Sequence, residues 1–202
     1  MLDPILRPLI DKPLDRIGAR LARAGVPADT VTLAGFVVGL GAMAAMAGQS
    51  YWTALALIGL NRLLDGLDGA VARQGAGSSD FGGYLDIVLD FIVYSGVVFA
   101  FALGRPDHGV AAAFLVFSFV GTGSSFLAYA IMAAKRGITS GMHGHKSLYF
   151  LGGLTEGTET ALVMAAICLA PGWFDWIAVG FGAACWLTTL GRILAARAAF
   201  RR

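Results

Sequence analysis

The chain reads as an all-α protein: a polytopic membrane bundle of six transmembrane helices preceded by an N-terminal amphipathic interfacial helix. Three observations carry this reading. Of 202 residues, 57% are hydrophobic and only 14% charged, against about 45–50% and about 25% in soluble domains. The apolar residues recur in blocks near the roughly 20 residues that cross about 30 Å of hydrocarbon. The basic residues collect at one set of block ends, as sidedness in a membrane requires. The same figures, with a net charge of +2, exclude a disordered chain and a basic nucleic-acid binder, so no nucleic-acid partner is expected. Cys168 and Cys185 both lie inside apolar runs and read as buried thiols, which excludes a disulfide scaffold.

Residues 1–24 form the first element. Leu2, Ile5, Leu6, Leu9, Ile10, Leu14, Ile17 and Leu21 make an apolar stripe, while Arg7, Lys12, Arg16, Arg20 and Arg23 face lipid phosphates. Prolines are expected to interrupt this helix, and it lacks the continuous apolar core of a signal peptide. Residues 25–202 form one domain with spans at 31–48, 51–73, 81–103, 110–134, 147–170 and 173–196, joined in places by short turns such as Gly48-Gln49-Ser50 and Pro171-Gly172. Small residues at Gly35, Gly39, Gly41, Gly121, Gly123 and Gly182 permit close helix packing. With the N-terminus inside, the outer turns hold only Arg105, and Arg62 lies within a span. All other basic residues fall on the inner side, which puts both termini in the cytoplasm of a cell whose inner membrane the chain crosses several times.

Acidic residues inside spans are the anomaly, because each is costly at membrane depth unless paired, hydrated or bound to a cation. Asp65 and Asp68 close the second span, and Asp86 and Asp90 open the third. Their spacings of three and four put each pair on one helical face. The short link after Arg73 makes the two helices antiparallel neighbours, so the carboxylates converge on the cytoplasmic side. Four such charges repel, and the options are protonation of some or bound cations. Oxygen-only ligation favours two hard divalent ions, Mg²⁺ or Mn²⁺. Gly69 and Ala72 share the carboxylate face and leave room for a ligand against the backbone, and Arg73 suits a phosphate.

The stretch DGLDGAVARQGAGSSDFGGYLDIVLD, residues 65–90, resembles the signature of the CDP-alcohol phosphotransferase family. That signature is D-x-x-D-G-x-x-A-R, eight residues, then G-x-x-x-D-x-x-x-D, matched at Asp65, Asp68, Gly69, Ala72, Arg73, Gly82, Asp86 and Asp90. The resemblance implies transfer of a substituted phosphate from a CDP-linked donor to an alcohol with release of CMP. By position, Asp65, Asp68 and Asp86 become metal ligands, and Asp90, also near the metals, the catalytic base. Asp65, Asp68, Gly69, Ala72, Arg73 and Gly82 line the CDP pocket, with Thr32 a further nucleotide contact. The implied donor is CDP-diacylglycerol, with an activated soluble alcohol such as CDP-choline as the alternative, and a homodimer is implied as well. One departure is Asp29, where the family more often carries Asn; an ordinary reading makes it a helix N-cap.

The acceptor is sought among the remaining polar residues. Lys146, Glu156, Glu159 and Arg192 are the acceptor-side candidates, the alternative being that the two glutamates are satisfied by Arg62 or Arg192. His143 and His145 belong to the same basic loop. A cation-coupled transporter or a metal-dependent lipid phosphohydrolase also accounts for intramembrane acids, but not for the ordered Gly, Ala and Arg between them.

Overall fold

The computed structural model describes residues 3–74, 79–137 and 153–200. They form seven α-helices: α1 (Asp3–Arg23), α2 (Ala28–Ala47), α3 (Tyr51–Gln74), α4 (Asp80–Gly104), α5 (Gly109–Lys135), α6 (Gly157–Leu169) and α7 (Phe174–Phe200). Short 3₁₀ turns at Pro106–His108 and Pro171–Trp173 lead into α5 and α7. No strand occurs among the described residues. Each of the first four expected spans lies within three residues of an observed helix end, since hydrophobic length and Gly or Pro punctuation specify helices in lipid.

Among the described residues, four segments are long and apolar enough to cross a membrane: Ala28–Ala47, Asp80–Gly104, Pro106–Lys135 and Pro171–Phe200. Helix α3 has the length, 24 residues, but its second half carries Arg62, Asp65, Asp68 and Arg73. The expected span at 147–170 is represented by α6, 13 residues long. At about 1.5 Å per residue, α6 covers roughly 20 Å of the roughly 30 Å of hydrocarbon.

Helix α1 departs from the expectation in two ways. It is one helix running through Pro4, Pro8 and Pro13: Pro4 lies in the first turn, and each later proline removes a single donor from the ladder while its neighbours keep theirs. Its stripe is also shared with protein. Leu14 is buried with Val31, Leu67, Ala70 and Val71, and Leu21 packs on the same cluster, whereas Ile17 is exposed. Gly18 lies so close to α3 that an added Cβ would sit 2.8 Å from the Ala70 carbonyl carbon. The Leu14, Gly18 and Leu21 face is therefore a helix–helix contact.

Helix α2 packs against α3 and α4, α5 against α7 and α4, and α6 against α3. Tyr51 at the start of α3 has its ring 6.1 Å from Phe101 near the end of α4, so the two helices run antiparallel. At this end the core is apolar: Phe101 stacks on Phe174 with centroids 3.9 Å apart, among Met46, Val97, Leu115 and Ile167. Two polar contacts tie its loops, Gln49 Nε2 donating to the Gly104 carbonyl at 2.8 Å and His108 Nδ1 lying 2.8 Å from Asp175 Oδ1. The opposite end, where α3 finishes and α4 begins, is left for charge.

Candidate active site

Asp65 and Asp68 lie one turn apart on α3, and Asp86 and Asp90 one turn apart on the facing side of α4. All four line one recess with Thr32, Gly35, Phe36 and Asn61. Asp65, Asp86 and Asp90 each offer a carboxylate oxygen, and these atoms lie within 4.8 Å of one another. Like charges about 5 Å apart at an effective dielectric of 20 repel by about 3 kcal/mol. Three hard oxygen donors at that spacing fit a divalent cation bound by oxygen. Asp68 stands beside this set: its Oδ2 accepts a 2.6 Å hydrogen bond from Thr32 Oγ1, and it is 7% exposed.

A cavity of about 420 Å³ opens next to the carboxylates. Thr32, Asp68, Gly69, Ala72, Gly82 and Asp86 all line it. The close approach of α2 to α4 explains one glycine. A Cβ on Gly82 would fall 2.8 Å from Asp29 Oδ1 and 3.0 Å from Ser79 Oγ, the hydroxyl that caps α4 by accepting from Gly82 N at 2.8 Å. Asp29 is consequently not an N-cap: Pro27 occupies that position on α2, and Asp29 sits in the first turn with its carboxylate on the cavity wall. Arg73 lies beside Gly69, its Nη1 3.4 Å from where a Gly69 Cβ would be. Rather than facing the cavity, it pairs with Asp15 of α1 at 2.8 Å, both side chains well exposed.

Two expectations about balancing charge change. Arg62 reaches into the acidic cluster. Its Nη2 donates to Asp90 Oδ1 at 2.6 Å, and Nη1 lies 3.6 Å from Asp65 Oδ2 and donates to the Tyr94 hydroxyl. A lysine or arginine beside the acids is thus a third answer to their repulsion, next to protonation and bound metal. Arg62, Tyr94 and Asn61 are the site residues that sequence reasoning missed. The signal was helical spacing: Arg62 is three residues before Asp65, and Tyr94 four after Asp90.

Glu156 and Glu159 form a capping box at the start of α6, with Glu159 Oε2 accepting from Glu156 N at 3.1 Å. Glu156 is also within electrostatic reach of Arg192. Arg192 is buried, donates to the Thr122 carbonyl at 2.8 Å and lies over the Phe126 ring. Gly157, next to Glu156, is close to Tyr94: a Cβ there would lie 3.6 Å from its hydroxyl. The start of α6 therefore borders the Asp90 side of the cluster. Lys146, His143 and His145 fall outside the described residues.

Comparison with known proteins places these features in context. The sequence model described as CDP-alcohol phosphatidyltransferase matches residues 26–197. The inner membrane protein YnjF of Escherichia coli (strain K12) is 50% identical over 194 residues, covering 96% of this chain and 94% of that protein. A phosphatidylinositol phosphate synthase of Mycobacteroides abscessus is 29% identical over 164 residues, covering 78% and 69%. The Mycobacterium tuberculosis phosphatidylinositol phosphate synthase PgsA1 has the same fold. Its structure with CDP-DAG bound gives a TM-score of 0.68 at 21% identity, covering 91% of this chain and 93% of that one. Its complex with manganese and citrate gives 0.63 at 22% identity, covering 89% and 87%.

Proposed function

This chain belongs to the CDP-alcohol phosphatidyltransferase family, and from that premise we propose that it moves a phosphatidyl group from CDP-diacylglycerol to the hydroxyl of a small polar alcohol and releases CMP. One observation carries the proposal. Three carboxylate oxygens within 4.8 Å of one another adjoin a cavity of about 420 Å³ whose walls include Gly69, Ala72 and Gly82 of the signature. A diphosphate can approach backbone there that side chains elsewhere would shield. The CDP-DAG and manganese complexes of PgsA1 support the donor and the ion class.

Asp65, Asp86 and Asp90 would hold two divalent ions, Mg²⁺ or Mn²⁺, together with Asp68. When bound, these ions supply positive charge to the diphosphate and to the departing CMP. Thr32 keeps the Asp68 carboxylate oriented through its 2.6 Å hydrogen bond. Asp90 accepts the hydroxyl proton as the acceptor oxygen forms its bond to the phosphatidyl phosphorus. The phosphorus–oxygen bond to CMP breaks, and CMP leaves with that electron pair. Arg73, beside Gly69, reaches the diphosphate by exchanging Asp15 for phosphate oxygens. Glu156, Glu159 and Arg192 form the acceptor side, since α6 begins beside Tyr94, and Lys146 joins them on the strength of the sequence alone.

In this reading the chain crosses the inner membrane six times and forms a homodimer, with α1 at the membrane–water interface and the termini and site on the cytoplasmic side. The donor's acyl chains then stay in lipid while its diphosphate enters the cavity. Purified protein with CDP-diacylglycerol is expected to release CMP only when Mg²⁺ or Mn²⁺ and an acceptor are both present. A panel of glycerol 3-phosphate, serine, inositol phosphate and inositol identifies that acceptor. CMP release without any alcohol would indicate a hydrolase, and no release at all would overturn the proposal. Asp90→Asn is expected to lower turnover by about 10²-fold or more, and undiminished turnover would remove Asp90 from the base role.

A further inference from the structure

Arg62 is a cation set on the buried side of the acidic cluster, one turn from Asp65 toward the Tyr51 end of α3. Tyr94 is one turn from Asp90 in the same direction. A guanidinium carries five N–H donors in a rigid fork, and nearly all of them are engaged here. Nε and Nη2 donate to Asn61 Oδ1 at 3.0 and 2.8 Å. Nη2 also donates to Asp90 Oδ1 at 2.6 Å, and Nη1 donates to the Tyr94 hydroxyl while lying 3.6 Å from Asp65 Oδ2. The Tyr94 hydroxyl donates in turn to Asp90 Oδ2 at 3.1 Å, so each oxygen of Asp90 has a donor. The arrangement is anchored to α2, where Asn61 Nδ2 donates to the Gly35 carbonyl at 2.8 Å. The guanidinium carbon also lies 4.8 Å from the Tyr94 ring centroid. A side chain committed in this many directions is a fixed strut joining α2, α3 and α4, unlike the exposed Arg73.

We infer that Arg62, with Tyr94, is a positioning residue for Asp90. The two donors hold one lone pair on each carboxylate oxygen from the buried side. The remaining lone pairs are left toward Asp65, Asp86 and the reacting hydroxyl. The Arg62 charge offsets one of the four carboxylates and competes with cations for the cluster. The effect on turnover rests on the phosphatidyl-transfer reading; the effect on cation binding does not.

The test uses the full chain in detergent, with CMP release measured in the presence of the acceptor that supports the wild type, and Mn²⁺ binding measured alone by paramagnetic resonance. Arg62→Gln is expected to lower kcat about 10²-fold with KM for the lipid donor within about threefold, because a displaced group at the reacting centre costs that much. The same variant is expected to bind Mn²⁺ at about tenfold lower concentration, since a nearby positive charge is gone. Arg62→Lys keeps the charge but not the fork. It is expected to restore wild-type Mn²⁺ affinity while leaving kcat about tenfold low. Tyr94→Phe is expected to cost about tenfold in kcat with Mn²⁺ binding unchanged. Wild-type kcat in Arg62→Gln, or parallel loss of Mn²⁺ binding and melting temperature as for a merely structural strut, overturns the inference. If the wild type releases no CMP, phosphatidyl transfer fails and the Mn²⁺ arm decides alone. Tighter binding in Arg62→Gln then upholds the charge placement, and unchanged or weaker binding overturns it.

Discussion

Thr32 and Asp68 come from different helices, 36 residues apart, and meet at 2.6 Å inside the bundle. A hydrogen bond to a charged group contributes about 1.5–3 kcal/mol. Thr32→Val, which keeps the shape and removes the hydroxyl, is therefore expected to weaken metal-dependent CMP release more than it lowers the melting temperature. Comparing the two in one preparation checks this. The motif residues Asp65, Asp68, Asp86 and Asp90 were legible in sequence because carboxylates at one-turn spacing inside apolar helices are too costly to persist without a role at a site. Arg62 and Asp29 were visible as residues but not as neighbours of the site. Arg62 could have reached either the aspartates or the glutamates, and only the packing of α3 against α4 selects Asp90. Asp29 looked like a cap, yet the turn at Pro27 puts it one step inside the helix, against Gly82.

Helix α1 is held to α3 through a contact with no spare volume at Gly18 and through the Asp15–Arg73 ion pair. Overpacking such a contact costs about 1–3 kcal/mol. Gly18→Leu is accordingly expected to push α1 off α3 and free Arg73, read as a longer spin-label distance between the two helices together with a lower melting temperature. The exposed ion pair itself contributes little, because solvent screens it. At the other end of the bundle, Phe101 and Phe174 are fully buried and stacked. Phe101→Ala leaves a hole there, and a loss of about 3–5 kcal/mol is expected from denaturation midpoints. An amphipathic stripe indicates that α1 has an apolar face, but it does not distinguish lipid from a neighbouring helix, since both are apolar. The capping box of α6 was hidden for a related reason. Glu156 and Glu159 at a spacing of three suit a cap, an ion pair and a ligand site alike, and the helix start decides among them.

Across the whole molecule, apolar packing and charge are separated along the bundle, with the stacked aromatics at one end and the carboxylates at the other. Cys168 and Cys185 are buried in that bundle, so maleimide is expected to label neither until the protein is denatured, checked by mass spectrometry. Cysteines introduced at Ser50 and near the C-terminus are expected to label from opposite sides of the membrane, and labelling from the same side would overturn the proposed sidedness. The all-helical class, the positions of the first four expected spans and the acidic signature were determined by the sequence itself, because lipid requires each backbone polar group to be satisfied within its own helix and makes every intramembrane charge conspicuous. The partners of those charges were decided only by tertiary structure. Helical spacing specifies which face a side chain occupies, whereas the 2.6 Å contacts of Arg62 with Asp90 and of Thr32 with Asp68 depend on how separate helices cross. That crossing is set by small residues and close packing summed over the whole bundle.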